Sequence, residues 1–495
     1  MKKRKRNIWT RILAIVLACI LAIPASVSSV LAGAWDASSA KGFNQIHFWE
    51  NKAPGIRFYI NAAARYELET VKEPAFGTTF GEWTVMCLLR GMYTGLDYLN
   101  YIPEGYFSDY YGRVTDTVVE KNGILDRSKS TEYSRLMLAL SAMGKDPSNV
   151  GRYDLIDQIS QSHNFSYRQG INGPVWELIA LNTGGYKLYE TPSSYEEGDI
   201  NTEGKMLDYI LKSEIRNSSG TMGGWALNLT AAENGADVDI TGMVLQALAP
   251  YYLDEEKYKE SGATTSYEEF QKAVERGIYS LYQLQNQNGG FGGWGSNINA
   301  ESTVQVIVAL TALNMDPKED SIELANIGLS CSFVTRGSVA DGVWTNNMID
   351  ALLSFWAKNS GSSEAVGGFK HVVSGNDGGG GSGYEVNAMA TDQTLYGLIA
   401  YDRFLNGMNS LYDMTDMTDG SYEDMMPASY TLTYDGNDVG ETTQESYSPY
   451  AEVTIAKGED SAKGAFVCWN SKADGSGDSY WPGDVLSMPE ENITL

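Results

Sequence analysis

Two carboxylates one residue apart, Asp237 and Asp239 in the run DVDITG, stand directly ahead of the apolar stretch MVLQALAPYY. That arrangement suits two kinds of work. A carboxyl group kept protonated by burial and by a neighbouring carboxylate can donate a proton to a substrate. A carboxylate at a helix start can instead accept hydrogen bonds from free backbone N–H groups and meet the positive end of the helix dipole. The same order of acid, any residue and hydroxyl recurs at Glu82-Trp-Thr84, Glu132-Tyr-Ser134, Asp239-Ile-Thr241, Glu301-Ser-Thr303 and Asp392-Gln-Thr394. A catalytic acid is needed once, whereas a device that opens five helices is structural. Capping is therefore the favoured role of Asp239, and proton donation is the catalytic alternative.

Other reactive residue types are sparse. His47, His163 and His371 are far apart in sequence and form no ligand cluster with Cys87, Cys331 and Cys468, so neither a metal nor a cofactor is expected. Trp225, Trp294 and Trp344 each follow a glycine-containing turn. Packing of those turns is their expected role, since aromatic rings dominate cores. Facing a cavity beside carboxylates, they would suit a sugar or another flat polar ligand. The ligand-binding candidates are thus Glu82, Glu132, Asp237, Asp239, Glu301, Asp392, Trp225, Trp294 and Trp344.

These residues are carried by repeated helical blocks over residues 41–407. Counting degenerate copies at Asn172-Gly-Pro174 and Asn346-Asn-Met348, the block starts lie 50, 40, 67, 62, 45 and 46 residues apart, the spacing of helical hairpins. ALSAMGKDP and ALTALNMDP share a helix end that Asp-Pro would close. The run STVQVIVALTALN is apolar on nearly every side, which places it in an inner layer wrapped by others. An α/α toroid of six or seven helical hairpins meets that requirement better than an open solenoid, which leaves such helices one solvated face. In a toroid the inner helices are parallel, so Glu82, Glu132, Asp239, Glu301 and Asp392 are expected around a single mouth.

The flanks read differently. Residues 1–34 have a basic start, an apolar run from Ile12 to Ile23 and small residues at Ala32 and Ala34: a secretory signal peptide, with a core too short to span a membrane. Removing its six basic residues takes the formal charge from −27 to −33, which argues against nucleic-acid binding. Residues 408–427 are acidic and aperiodic and read as a linker, and residues 428–495 alternate short β-like runs with DG, SG and PG turns, a small β module.

GEWTVMCLLRG, TEYSRLMLALSAMGKDPSNVG, QGINGPVWELIALNTGGY, DVDITGMVLQALAPYY, ESTVQVIVALTALNMDP and NAMATDQTLYGLIAYDRFLNG resemble exported bacterial proteins with a terpenoid cyclase/prenyltransferase-like α/α toroid. LQNQNGGFGGWG is similar to the Gln-and-Gly-x-Trp repeat of squalene cyclases, and the fold family includes cobalamin carriers, which bind rather than catalyse. YTLTYDGND and FVCWNSKADGSGDSYWPGDVLSMPEENITL resemble a Listeria–Bacteroides (internalin B-type) surface repeat. Such repeats usually continue past a segment like NITL, so an incomplete module is expected. Against the Asp-x-Asp-Asp acid of class II terpene cyclases, Asp237 and Asp239 match but Ile240 stands at the fourth position. The zinc ligands of prenyltransferases and the thioester Gly-Cys-Gly-Glu-Gln have no counterpart.

The sequence thus leads to a mainly α, secreted or cell-surface protein that binds a small molecule or glycan, with the β repeat as spacer and a host or cell-wall surface as a possible partner. The alternative is an enzyme of terpene-cyclase or glycan-processing type.

Overall fold

Fourteen α-helices lie among the described residues of the computed structural model: α1 (Ile56–Thr70), α2 (Gly81–Gly91), α3 (Tyr106–Glu120), α4 (Thr131–Ala142), α5 (Leu155–Ser160), α6 (His163–Ser166), α7 (Asn172–Thr183), α8 (Glu203–Lys212), α9 (Val238–Leu253), α10 (Glu255–Glu260), α11 (Tyr267–Leu284), α12 (Ala300–Ala312), α13 (Met348–Leu353) and α14 (Ala388–Leu405). The described residues are 55–77, 81–94, 96–195, 199–227, 235–293, 297–339, 342–358, 366–377, 381–422, 430–437, 441–447, 452–460, 465–489 and 491–495. Residues 1–34, read above as a signal peptide, and His47 and Trp294 lie outside them.

Helices α2, α4, α7, α9, α12 and α14 pack each against the next in that order, and α14 packs back on α2. Around them α1 lies on α14 and α2, α5 on α4, α8 on α7, α11 on α9 and α13 on α12. The sequence of each layer fits its place. In α12 every residue from Ala300 to Thr311 is buried, as its all-round apolar character requires. In α11 the buried apolar residues Phe270, Ala273, Val274, Ile278 and Leu281 recur at helical spacing, and Glu268 and Glu269 stand in its first turn.

Three of the six central helices start with one shared stitch. A Gly-Gly-aromatic segment, Gly223-Gly224-Trp225, Gly289-Gly290-Phe291 or Gly367-Gly368-Phe369, runs beside the helix start. The aromatic carbonyl accepts from the capping residue's N–H at Asp237 (2.8 Å), Asn299 (3.0 Å) or Asn387 (2.8 Å). The aromatic N–H donates to a threonine hydroxyl one turn in, at Thr241 (3.0 Å), Thr303 (3.0 Å) or Thr391 (2.9 Å). A Cβ on Gly368 would stand 2.4 Å from Thr391 Oγ1, so only glycine lets the strand come this close. All three aromatic side chains are fully buried.

The opposite ends of the central helices are closed differently. In α4, α7, α12 and α14 a left-handed residue follows the last turn (Gly144, Gly185, Asn314, Gly407). The next N–H then bonds back five residues, as in Lys145 to Leu140 and Met315 to Leu310 (both 2.9 Å). The stop expected from Asp-Pro is thus made earlier, and Pro147 and Pro317 only follow it.

Residues 408–422, read from sequence as linker, pack onto these ends instead. Fully buried Arg90, in the last turn of α2, donates to the Leu411 carbonyl (2.9 Å), the Ser410 and Asp413 carbonyls (2.8 Å each) and Asp416 (2.7 Å). Arg403, in the last turn of α14, bonds the Asn409 carbonyl (2.8 Å) and Asp416 (2.5 Å). Leu411, Tyr412, Met414 and Tyr422 are buried, and Met414 N–H donates to the Thr183 carbonyl at 2.8 Å. Acidic composition suggested solvation; two arginines at helix C-termini, where cations are favoured, turn that acidity into an anchor.

Between α12 and α14 the outer layer departs from the expected helical hairpins. It holds antiparallel pairs β1 (Ile322–Leu324) with β2 (Leu329–Cys331), β3 (Thr335–Val339) with β4 (Gly342–Asn346), and β5 (Trp356–Lys358) with β6 (Gly367–Phe369), plus the single-turn-and-a-half α13. This stretch is rich in Gly, Ser and Thr and lacks a long apolar period. Beyond residue 429 the chain is strand-rich: β7 (Tyr430–Tyr434) is flanked by β8 (Thr443–Tyr447), antiparallel, and β9 (Ile493–Thr494), parallel. Leu432, Tyr434, Val453, Ile455, Met488 and Leu495 form its separate core.

Two changes test these contacts by chemical denaturation. Arg90→Met should destabilise the helical body by about 3 kcal/mol, because it removes one of the two arginines on Asp416 and leaves three carbonyls without their donor. Thr303→Val, nearly isosteric, should cost about 1–3 kcal/mol by leaving the Phe291 N–H unpaired. Wild-type stability in both variants would show that neither contact holds the fold.

Candidate functional site

All six central helices send side chains from their N-terminal turns into one cavity of about 500 Å³. Trp83 comes from α2, Arg135 from α4, Trp176 from α7, Asp239 and Met243 from α9, Glu301, Ser302 and Gln305 from α12, and Met389, Asp392, Gln393 and Tyr396 from α14. His371, on the segment between β6 and α14, completes the wall.

The structure separates the two carboxylates of DVDITG. Asp237 is the cap, accepting from Ile240 N–H at 2.9 Å, and does not line the cavity. Asp239, expected to cap, does line it, and its buried Oδ1 has no hydrogen-bond partner. One residue decides this: the cap precedes the first helical residue, and Asp239 already sits in the first turn. Burial, followed by the Asp237 charge, raises the Asp239 carboxyl to about 6, against the lowering effects of the Ser302 hydroxyl and His371.

Glu301 occupies the equivalent place on α12, two residues after its cap Asn299. Its Oε2 lies 2.7 Å from His371 Nδ1, while Oε1 is buried without a partner. His371 Nε2 lies 3.0 Å from Asp377 Oδ2. A neutral imidazole carries one N–H, so both contacts require two protons among these three groups. Distance in sequence hid this assembly, because His371 is 70 residues from Glu301. Burial raises the proton affinity of Glu301, and the His371 charge opposes it.

Asp392 does not begin its helix. The cap of α14 is Asn387 and the stitched hydroxyl is Thr391, so the acid-x-hydroxyl reading at Asp392-Gln-Thr394 was out of register, and Met389 takes the place of the acid. Asp392 nevertheless reaches the cavity from the second turn. Behind it stand Cys87, whose Sγ approaches Oδ1 at 3.9 Å, and the fully buried Glu67, which accepts from Thr84 at 3.2 Å. Burial of two neighbouring carboxyls favours the protonated form of both, with Glu67 raised to about 8. Glu82 and Glu132 stay behind the wall, paired with Arg135 at 3.3 and 2.6 Å. The five acids predicted at one mouth therefore divide into three that line the cavity and two that hold its arginine.

Of the predicted tryptophans, Trp225 is not a ligand residue: it is fully buried, its Nε1 donating to the Ile210 carbonyl at 2.7 Å. Its structural counterparts are Phe291 and Phe369 rather than Trp294 and Trp344, a relation visible in the three Gly-Gly-aromatic segments. Trp344 lies on β4, and its side chain is outside the described part of the structure. The aromatic wall is made by residues not selected from sequence. Trp83 meets Trp176 edge to face at 5.4 Å and Tyr396 at 5.8 Å. Gln246, Gln305, Gln393 and Tyr396 form a hydrogen-bonded chain across α9, α12 and α14, with Gln305 Nε2 donating to Tyr396 Oη at 2.9 Å.

A larger groove of about 670 Å³ lies in the β module beside Tyr434, Phe466 and Trp469. None of the unpaired buried side-chain atoms among the described residues falls there, whereas Asp239, Glu301 and Ser302 each bring one to the helical cavity.

No protein-family profile matches the chain. Over 71 residues, 13% of its length, the chain is 39% identical to a protein of Evansella cellulosilytica described as "Putative membrane protein", and the match spans 11% of that relative. No helix among the described residues is long and apolar enough to cross a membrane.

The buried acids set a pH dependence of stability. Glu67, Glu177 and Asp239 are raised to about 8, 7 and 6, chiefly by burial. Each holds a proton in the folded chain that the unfolded chain releases near its ordinary carboxyl value. Their stabilising contribution is complete below that value and is lost as pH rises through the folded one. Melting temperature should therefore fall from pH 5 to pH 8. Glu177→Gln should flatten the fall between pH 5 and 7, where one such group is worth about 1.4 kcal/mol per pH unit. An equally steep profile in that variant would contradict the assignment.

Proposed function

We propose that this is an exported cell-surface protein whose helical body is an α/α toroid that binds a small molecule or glycan unit where the six helix N-termini meet. The C-terminal β repeat serves as its spacer. The observation that carries the reading is the convergence of all six central helices on one cavity that mixes aromatic faces with unpaired acceptors. A pocket of this size and make-up, apolar walls with a few converging polar groups, is what small-ligand sites need. Residues 408–422 pack across the C-terminal ends of α2 and α14, at the end of the helices opposite the cavity. The local match to one described relative adds no ligand.

Acid catalysis is the second reading, and Asp239 favours it. A cavity carboxyl with an unpaired oxygen and a proton affinity raised towards neutrality is equipped to protonate an alkene or a glycosidic oxygen. Ile240 leaves it only one carboxylate neighbour within the motif, and that neighbour, Asp237, is occupied as a cap.

The two readings separate on one pair of variants. Trp176→Ala should weaken binding of any retained ligand at least about ten-fold by equilibrium dialysis, with the fold intact, because a half-buried aromatic wall is lost. Asp239→Asn should keep the fold under both readings. Loss of turnover on polyprene or oligosaccharide substrates in Asp239→Asn, with turnover present in wild type, would replace the binding function with the enzymatic one. Unchanged ligand retention in Trp176→Ala would remove the cavity from either.

A further inference from the structure

Two carboxylate oxygens at the cavity, Asp239 Oδ1 and Glu301 Oε1, have no hydrogen-bond partner among the described residues. Both are buried acceptors, the Ser302 hydroxyl stands beside Asp239 with its lone pairs open to a donor, and Glu301 is only 8% exposed. Arg135 is the one permanently charged cation among the lining residues, and Glu82 and Glu132 already neutralise it. His371 is committed to Glu301 and Asp377. Beside these acceptors stands a corner of rings: Trp83 and Trp176 meet at 69°, and Tyr396 tilts 35° from Trp83. Two rings set edge to face make a recess rather than the flat platform on which a sugar stacks. A recess of aromatic faces next to carboxylates attracts an organic cation through the ring quadrupoles and the unbalanced negative charge together.

Resting on the cavity being the binding site, we propose that its ligand is an organic ammonium ion with N–H donors. The ammonium group donates to Asp239 Oδ1, Glu301 Oε1 and Ser302 Oγ, and its hydrocarbon part lies against Trp83, Trp176 and Met243. Acceptors that the protein leaves without a donor become its recognition elements, since a buried acceptor without a donor is expensive. Burial has raised the Asp239 proton affinity in the absence of such a cation, and a bound ammonium opposes that rise. The charged groups facing Asp239 are Asp237 on its own helix, Glu301 on α12 and His371 on the adjoining segment. Of these only His371 adds positive charge, and only when protonated.

Calorimetric titration of the full chain at pH 7 with 2-phenylethylammonium, its neutral isostere 2-phenylethanol and maltose tests this. The ammonium should bind at least about ten-fold tighter than the alcohol, and Trp83→Ala should weaken it by a similar factor. Asp239→Asn should weaken the ammonium and leave the alcohol unchanged. Lowering pH from 7 to 5 should weaken the ammonium in wild type, as Asp239 takes up its proton, and much less in Asp239→Asn. Equal affinity for ammonium and alcohol, or tighter binding of maltose with the same sensitivity to Trp83→Ala, overturns the cation while the cavity reading stands. Binding of none of the three, or binding indifferent to Trp83→Ala, overturns both.

Discussion

Helix ends govern this structure. Each central helix leaves free N–H groups at its start and free carbonyls at its finish, and six of them side by side gather these needs at two places. At one end, in α9, α12 and α14, the Gly-Gly-aromatic stitch, the caps Asp237, Asn299 and Asn387, and threonines one turn in satisfy the starts. At the other, left-handed residues and the Arg90 and Arg403 clasp satisfy the finishes. The cavity is what remains at the first end once the backbone is satisfied.

That division explains why acids gather there at tolerable cost. Carboxylates in the first turn of a helix meet its positive end, which offsets part of their repulsion. Desolvation acts in the opposite sense and favours their protonated forms, as at Asp239, Asp392 and Glu67. The result is a set of groups poised between charged and neutral states, which suits ligand recognition or proton transfer and is needless for capping. In α9 and α12 capping falls to Asp237 and Asn299, just outside the helices, and Asp239 and Glu301 in the first turns face the cavity instead.

How much of this was legible in the sequence depends on range. The buried run of α12 and the repeat spacing expose the inner helices, because apolar character on all sides has one physical outcome. The acid-x-hydroxyl pattern locates α2, α4, α9 and α12 and a shared mouth, but it cannot assign the cap to Asp237 over Asp239, since both carboxylates satisfy the same local rule. At α14 the pattern slips by three residues, from Thr391 to Thr394, because two threonines on one helix look alike until Phe369 is seen beside one of them. His371 and the Trp83–Trp176 corner were beyond reach, being contacts between residues 70 and more positions apart. Residues 408–422 misled for a different reason. Their acidity has its partners, Arg90 and Arg403, on distant helices, and composition alone does not reveal a partner.

The central claim is that the mouth of the six helices is a ligand site rather than a packing defect. A crystal structure of the full chain grown with 2-phenylethylammonium addresses it most directly. The account predicts density for the ligand between Trp83, Trp176 and Asp239, with its nitrogen within hydrogen-bond distance of Asp239 Oδ1. A cavity closed by shifted side chains, or ligand density confined to the β-module groove beside Trp469, would contradict it.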